Sequence, residues 1–261
     1  MNKYNFLSGL PRSGSTLLAS LLNQHPRIHA SATSALLDLL VAQANSVQQN
    51  RTFYEITDSQ EIGLYNGMFE SYYKHIDKSL IIDKHRAWPN LIGALRKMGI
   101  ESKVICTNRP VPEIIASYIT LIKQNPDYPN FIDELIVSRN LEINTHNRAM
   151  TIWGDYVQIP HTVLKTAIKI NRNNMFFTNY DDIVNEPQEL LDAVCDFLNI
   201  EKYNGYQFTN IINSQPEKDE NGWKLKDLHV IRPELKKISI PPAQIIGSEL
   251  TNYFSQFNLV V

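Results

Sequence analysis

The chain has 261 residues, 43% of them hydrophobic and 20% charged, so it carries apolar material for one sizeable core, and a single domain over 1–261 is the expectation. A formal net charge of -2 and a pI near 6.4 argue against nucleic acid as the main ligand and confine any anion site to a local patch. No run approaches the roughly 20 apolar residues of a membrane helix, strand-like sequence begins where a leader peptide would need a basic and then an apolar region, and the only cysteines, Cys106 and Cys195, sit in apolar runs; the expectation is a cytoplasmic protein with reduced thiols and no membrane partner.

Residues 4–8 are a short apolar run with strand character, turn residues follow, and 16–22 carry apolar positions at helical spacing. Residues 35–44 and 59–73 pattern as helices. Strand-like runs recur at 79–83 (SLIID), 103–107 (KVICT) and 175–178 (MFFT). The stretch 133–170 reads as one or two helices that Pro160 is expected to end or kink. A further helix is expected over 187–198, with Pro187 in its first turn and Glu186 and Glu189 near its positive end. Residues 207–227 show little periodicity and are expected to be a mobile loop of the length that lids have. Apolar strands alternating with helices predict a three-layer α/β fold: a central, mainly parallel sheet with helices on both faces.

Between the first strand and the first helix lies Gly9-Leu10-Pro11-Arg12-Ser13-Gly14-Ser15-Thr16. Glycines let such a loop curl with its N–H groups inward, and the following helix adds partial positive charge, which together make a phosphate cradle. The plainer reading is a Gly- and Ser-rich turn in which Ser13 or Ser15 caps the helix. The spacing fits the ATP-binding loop except that Ser15 stands where its lysine would be; the basic side chain here is Arg12. A P-loop small-molecule kinase stays open as an alternative, with Asp83 as its one candidate for holding Mg²⁺.

The run from Leu10 to Leu18 resembles the 5′-phosphosulfate loop of sulfotransferases that use 3′-phosphoadenosine-5′-phosphosulfate (PAPS), and Asn23-Gln24-His25-Pro26 resembles the "hP" turn of their tyrosylprotein-type and glycan-type members. Arg109-Pro110 at the end of a strand, with Ser117 eight positions after the arginine, resembles that family's 3′-phosphate signature. A guanidinium grips phosphate with parallel donors and a helix hydroxyl adds a neutral one. An ordinary ion pair of Arg109 with Glu113 is the plain alternative. The segment from Asn179 to Pro187 resembles the family's "YEDL…P" run and makes Tyr180 a pocket candidate, and 228–233 is similar to a tail segment that brings a basic residue, here Arg232, to the phosphates.

The resemblance implies a P-loop NTPase-like fold and sulfuryl transfer from PAPS, with 3′-phosphoadenosine-5′-phosphate (PAP) as product, no metal, and a sugar, a small alcohol or phenol, or a peptide tyrosine as acceptor. Pro11, Arg12, Ser13, Gly14, Ser15, Thr16, Arg109, Ser117, Tyr180 and Arg232 are the cofactor-binding candidates. Asp83-Lys84-His85-Arg86-Ala87-Trp88-Pro89 resembles the segment that carries the family's catalytic histidine or lysine, so His85 is expected as general base, with Lys84 and Arg12 steadying the sulfuryl group. The glutamate base of tyrosylprotein-type members has no counterpart in Ala30-Ser31-Ala32-Thr33-Ser34, which leaves Asp83, His25 and His29 as other candidates and a non-catalytic PAP-binding module as a further alternative.

Overall fold

A computed structural model describes residues 3–50, 55–127, 130–213, 224–236 and 240–261. Its sheet has the order β2-β3-β1-β4-β5, with β1 (Tyr4–Gly9), β2 (Ile28–Ala30), β3 (Leu80–Lys84), β4 (Val104–Asn108) and β5 (Met175–Asn179) all parallel. Four of these match the runs read from the sequence to within a residue. The fifth, β2, spans 3 residues, too few for an alternation to register. It forms because the Asn23 amide acts as a strand edge: its Oδ1 accepts from the Ala30 N–H at 2.9 Å and its Nδ2 donates to the Ala30 carbonyl.

Alternation along the strands sorts their side chains to two faces. Phe6, Ile81, Val104 and Cys106 enter one apolar cluster, while Leu7, Leu80, Ile82 and Ile105 enter the other. The second cluster is covered by α1 (Ser15–Leu22), through Leu18, Leu21 and Leu22, and by α10 (Pro187–Leu198), through Leu191, Val194 and Cys195. The first is covered by α2 (Leu36–Asn50), α3 (Asp58–Tyr72), α4 (Ile92–Lys97) and α5 (Val111–Gln124). Helices α6 (Phe131–Ser138), α7 (Thr145–Thr151), α8 (Gln158–Asn171), α11 (Pro242–Ile246) and α12 (Ser248–Ser255) extend that layer, and the short α9 (Tyr180–Asn185) leads into α10. The three-layer α/β arrangement expected from the sequence is the one observed.

Of the two outcomes expected at Pro160, an end to the helix does not occur. The stretch 133–170 is helical in three pieces, and a π-helical turn at Ile152–Val157 joins α7 to α8 just ahead of the proline. Pro160 is the third residue of α8 and does not end the helix, because the wider turn upstream relieves the clash between its ring and the preceding turn. Trp88, Trp153 and Tyr73 are core residues; Trp88 is 0% exposed, with its ring 4.1 Å from that of Phe6. Both cysteines are buried and free, and burial raises both thiols above their ordinary range. Of the mobile loop expected over 207–227, residues 214–223 lie outside the described residues. No helix among the described residues is long and apolar enough to cross a membrane.

Candidate functional site

Because α1 carries the chain from β1 toward β2 while β4 lies on the other side of β1, the sheet changes direction between β1 and β4. Open α/β sheets bind ligands in the crevice beyond the strand carboxyl ends at such a point. Here that crevice is a cavity of about 530 Å³ into which the loops after β1, β3, β4 and β5 all open.

The loop after β1 is shaped by left-handed residues: Arg12 has φ 58° and Gly14 φ 90°. Gly9 is required by its neighbour strand, since a Cβ there would lie 2.1 Å from Thr107 Oγ1. Helix α1 starts with Gly14 as its N-cap and has no side-chain capping bond, so neither Ser13 nor Ser15 caps it. The Ser13 hydroxyl is fully buried, donates to the Leu10 carbonyl and lies 2.6 Å from Thr107 Oγ1, fastening the loop to β4. Gly14, Ser15 and Thr16 line the cavity; Pro11 is buried and, like Ser13, does not.

The β4 motif meets this loop directly. Arg109, 9% exposed, donates from Nη1 to the Arg12 carbonyl at 3.1 Å and from Nε to Glu113 Oε2 at 3.1 Å. Its guanidinium stands 4.5 Å over the ring of Tyr180, which opens α9 after β5. The ion pair with Glu113 offered as the plain reading of Arg109 is therefore present, in a residue that also lines the cavity. Ser117, two turns into α5, accepts from Arg12 Nε at 3.2 Å. Arg12 also donates from Nη1 to the carbonyl of Leu228.

Leu228 belongs to a strap over 224–236 that crosses the cavity mouth. Leu225 and Leu228 are buried in the first apolar cluster, whereas Ile231 and Leu235 pack on the second, so the strap spans both layers and brings Arg232 to the cavity wall. It is fastened to the 207–213 segment by the Asn210 N–H, which donates to the Pro233 carbonyl at 2.6 Å.

The segment after β3 divides by parity. Lys84 and Arg86 line the cavity, while Asp83 and His85 face away from it. Asp83 is 1% exposed, accepts from Trp88 Nε1 at 2.7 Å and from the Tyr73 hydroxyl, and burial raises its carboxyl above the ordinary range. With both oxygens engaged internally, it is not disposed to hold Mg²⁺ in the cavity or to take a proton there. The His85 imidazole accepts the Ala87 N–H at Nδ1 (3.2 Å) and turns Nε2 to within 3.5 Å of Asp38 Oδ1 on α2. A nitrogen that accepts an N–H carries no proton, so Nε2 holds the ring's proton toward Asp38, and burial lowers the pKa of the group. The sequence expectation of His85 as general base is not met by this geometry, because the register of β3 directs residue 85 to the opposite side from Lys84.

The two other histidine candidates are also occupied elsewhere, while His229, not among the sequence candidates, lines the cavity. His25 is buried with Nε2 3.0 Å from the Glu201 carbonyl and Nδ1 accepting the Arg27 N–H, and His29 packs edge-on against Tyr73. Arg86 was not among the sequence candidates; the signal that finds it is its two-residue offset from Lys84. Among the described residues no group of three or more His, Cys, Asp or Glu is arranged to hold a metal ion.

Comparison with known proteins gives a consistent set. The model described as "Sulfotransferase family" matches residues 6–204. Protein-tyrosine sulfotransferase 2 of Gallus gallus is 16% identical over 206 residues, which cover 75% of this chain and 50% of that protein. Protein-tyrosine sulfotransferase A of Caenorhabditis elegans is 19% identical over 199 residues, covering 75% and 49% respectively. The chain thus spans about half the length of the curated relatives it matches. Among solved structures, a mouse sulfotransferase complexed with PAP superposes with a TM-score of 0.55 at 17% identity, over 98% of this chain and 83% of that one. The sulfotransferase domain from the curacin biosynthetic pathway gives 0.51 at 17% identity over 100% and 92%. Both are likenesses of fold.

Proposed function

The chain belongs to the sulfotransferase family, and we propose that it transfers a sulfuryl group from PAPS to a hydroxyl group of its acceptor by in-line displacement. The observation that carries this reading is the contact between two motifs about a hundred positions apart: Arg109 holds the Arg12 carbonyl while Arg12 reaches Ser117. A ligand with an anion at each end, as PAP and PAPS have, can engage both motifs across one cavity, whereas the charges of a triphosphate run along a single chain.

The residues present fit such a ligand. Gly14 supplies a backbone without a Cβ at the mouth of α1, whose first N–H groups and positive end favour an anion. Arg109 and Ser117 offer charged and neutral donors for the 3′-phosphate, and the Tyr180 ring a flat wall beside them. PAPS, when bound, supplies an activated sulfuryl group whose anhydride bond breaks to leave PAP. Arg12 and Lys84 hold negative charge as it builds on the sulfuryl and leaving-group oxygens. In a loose transition state of this type positioning and charge stabilisation carry most of the rate. We therefore assign charge stabilisation to Arg12 and Lys84 and give His85 no base role in this conformation; the proton that the acceptor hydroxyl loses as its oxygen bonds to sulfur passes to solvent. That the curated relatives are named protein-tyrosine sulfotransferases supports peptide tyrosine among the acceptors considered.

Isothermal titration of PAP, with ATP as comparator, into wild type and Arg109→Ala tests the reading. PAP binding well ahead of ATP, with most of that preference lost in Arg109→Ala, is the expected result. Equal binding of ATP, or no effect of the substitution, returns the kinase alternative. Tight PAP binding without turnover on any acceptor returns the non-catalytic module.

A further inference from the structure

Strand order lays the cavity out in one direction. The 3′-phosphate motif follows β4, the phosphate loop follows β1 and Lys84 ends β3, and neighbouring strands stand roughly 4.8 Å apart. Proceeding from β4 through β1, the two anionic ends of the nucleotide are accommodated over these strands. What opens beyond, over β3, is the acceptor's side.

Two cations stand there. Lys84, at the strand end, faces the cavity beside the phosphate loop. Arg86, two positions on, shares that side, is half-buried, and has its carbonyl fixed by the Ser8 hydroxyl of β1 at 2.9 Å, so its position is held by the sheet. Among the described residues its guanidinium has neither a hydrogen bond nor an ion pair, whereas Arg109 is matched by Glu113. A cation built into a cavity wall without a carboxylate of its own is partly desolvated and uncompensated, which a bound oxyanion relieves with paired donors.

We infer that Arg86 is an acceptor-recognition residue and that the acceptor carries an oxyanion, a carboxylate or its equivalent, beside the hydroxyl that is sulfated. The inference rests on the sulfuryl-transfer reading above and adds to it a charge requirement on the acceptor.

The test uses PAP-saturated protein and two probes of equal shape, 4-hydroxyphenylacetate and its neutral amide, titrated into wild type, Arg86→Gln and Arg86→Lys. Wild type is expected to prefer the acid by about tenfold, the worth of one charge-assisted pair, and Arg86→Gln to lose that preference while Arg86→Lys keeps part of it. PAP affinity and the melting temperature are expected to stay near wild type in Arg86→Gln, separating acceptor recognition from folding and from nucleotide binding. Equal affinity for acid and amide in a wild type that binds PAP, including no binding of either, overturns the inference alone, as does a preference that survives Arg86→Gln. A wild type that does not bind PAP overturns the sulfuryl-transfer reading and the inference with it.

Discussion

Gly14 lies so close to Tyr180 that a Cβ built on it would stand 2.9 Å from Cδ2 of the ring, and the same ring carries the Arg109 guanidinium at 4.5 Å. The loop after β1, the tyrosine and Arg109 are thus stacked in series, and a change at the first displaces the last.

Gly14→Ala is therefore expected to weaken PAP binding by tenfold or more and to cost about 1–3 kcal/mol of stability, because φ 90° is strained for any residue with a Cβ and the ring must also move. Gly67→Ala, inside α3 with nothing within 4 Å of its added Cβ, is the control and is expected to stabilise by about 0.5–1 kcal/mol. Titration of PAP and thermal melts of both variants check this. A Gly14→Ala protein with wild-type PAP affinity would show that the ring gives way without moving Arg109.

Lys84 and His85 are adjacent in sequence and opposed in direction, which separates their expected effects. Lys84→Ala is expected to lower kcat by about 10²–10³-fold, the usual effect of removing one donor to developing charge. His85→Ala is expected to leave kcat within a few-fold. Turnover with a fixed acceptor measures both, and a collapse on His85→Ala would mean that the imidazole leaves Asp38 during the reaction.

Burial raises the Asp83 carboxyl above its unfolded value, so its contribution to stability is full below the unfolded pKa, about 3.9, and is lost as pH rises through the higher folded pKa. Asp83→Asn removes that penalty. The melting temperature of the variant relative to wild type is expected to climb from pH 4 to pH 8. A flat difference would place the carboxyl at its ordinary value, and a falling one below it. Asp83→Leu, by contrast, leaves the Tyr73 hydroxyl and Trp88 N–H buried without their acceptor and is expected to destabilise by about 2–4 kcal/mol at every pH.

For His25 the sign is reversed. Burial lowers its pKa, so the stability it contributes is present above the unfolded value near 6.5 and is lost as pH falls through the folded pKa. His25→Gln is expected to reduce the acid sensitivity of the melting temperature between pH 7 and pH 5 while leaving PAP binding unchanged. Loss of PAP binding would return His25 to the site.

Local chemistry that acts over a few residues was legible in the sequence. Four strands, the Gly- and Ser-rich loop after β1, the Arg109 to Ser117 spacing and the helix opened by Pro187 each depend on near neighbours, and the residues at the strand ends met in one cavity because parallel strands deliver their carboxyl ends to the same edge. Arg12, Arg109, Ser117, Tyr180 and Arg232 all reach it, although Arg232 belongs to a strap whose course depends on Leu225, Leu228, Ile231 and Leu235 finding two different apolar layers.

Direction was a tertiary matter. Composition does not say which side of the β3 end opens on the cavity, and with a side-chain period of two, one residue of register exchanges Lys84 and Arg86 for Asp83 and His85. The pairing of β3 with β1 and β2, and the burial of Asp83 against Tyr73 and Trp88, made that choice. It is also why Ser13, inside the loop motif, fastens β4 rather than facing a ligand: its hydroxyl finds Thr107 only once the two strands lie side by side. The sequence by itself determined which residues stand at the sheet's carboxyl edge; only packing across the sheet decided which of them look into the cavity.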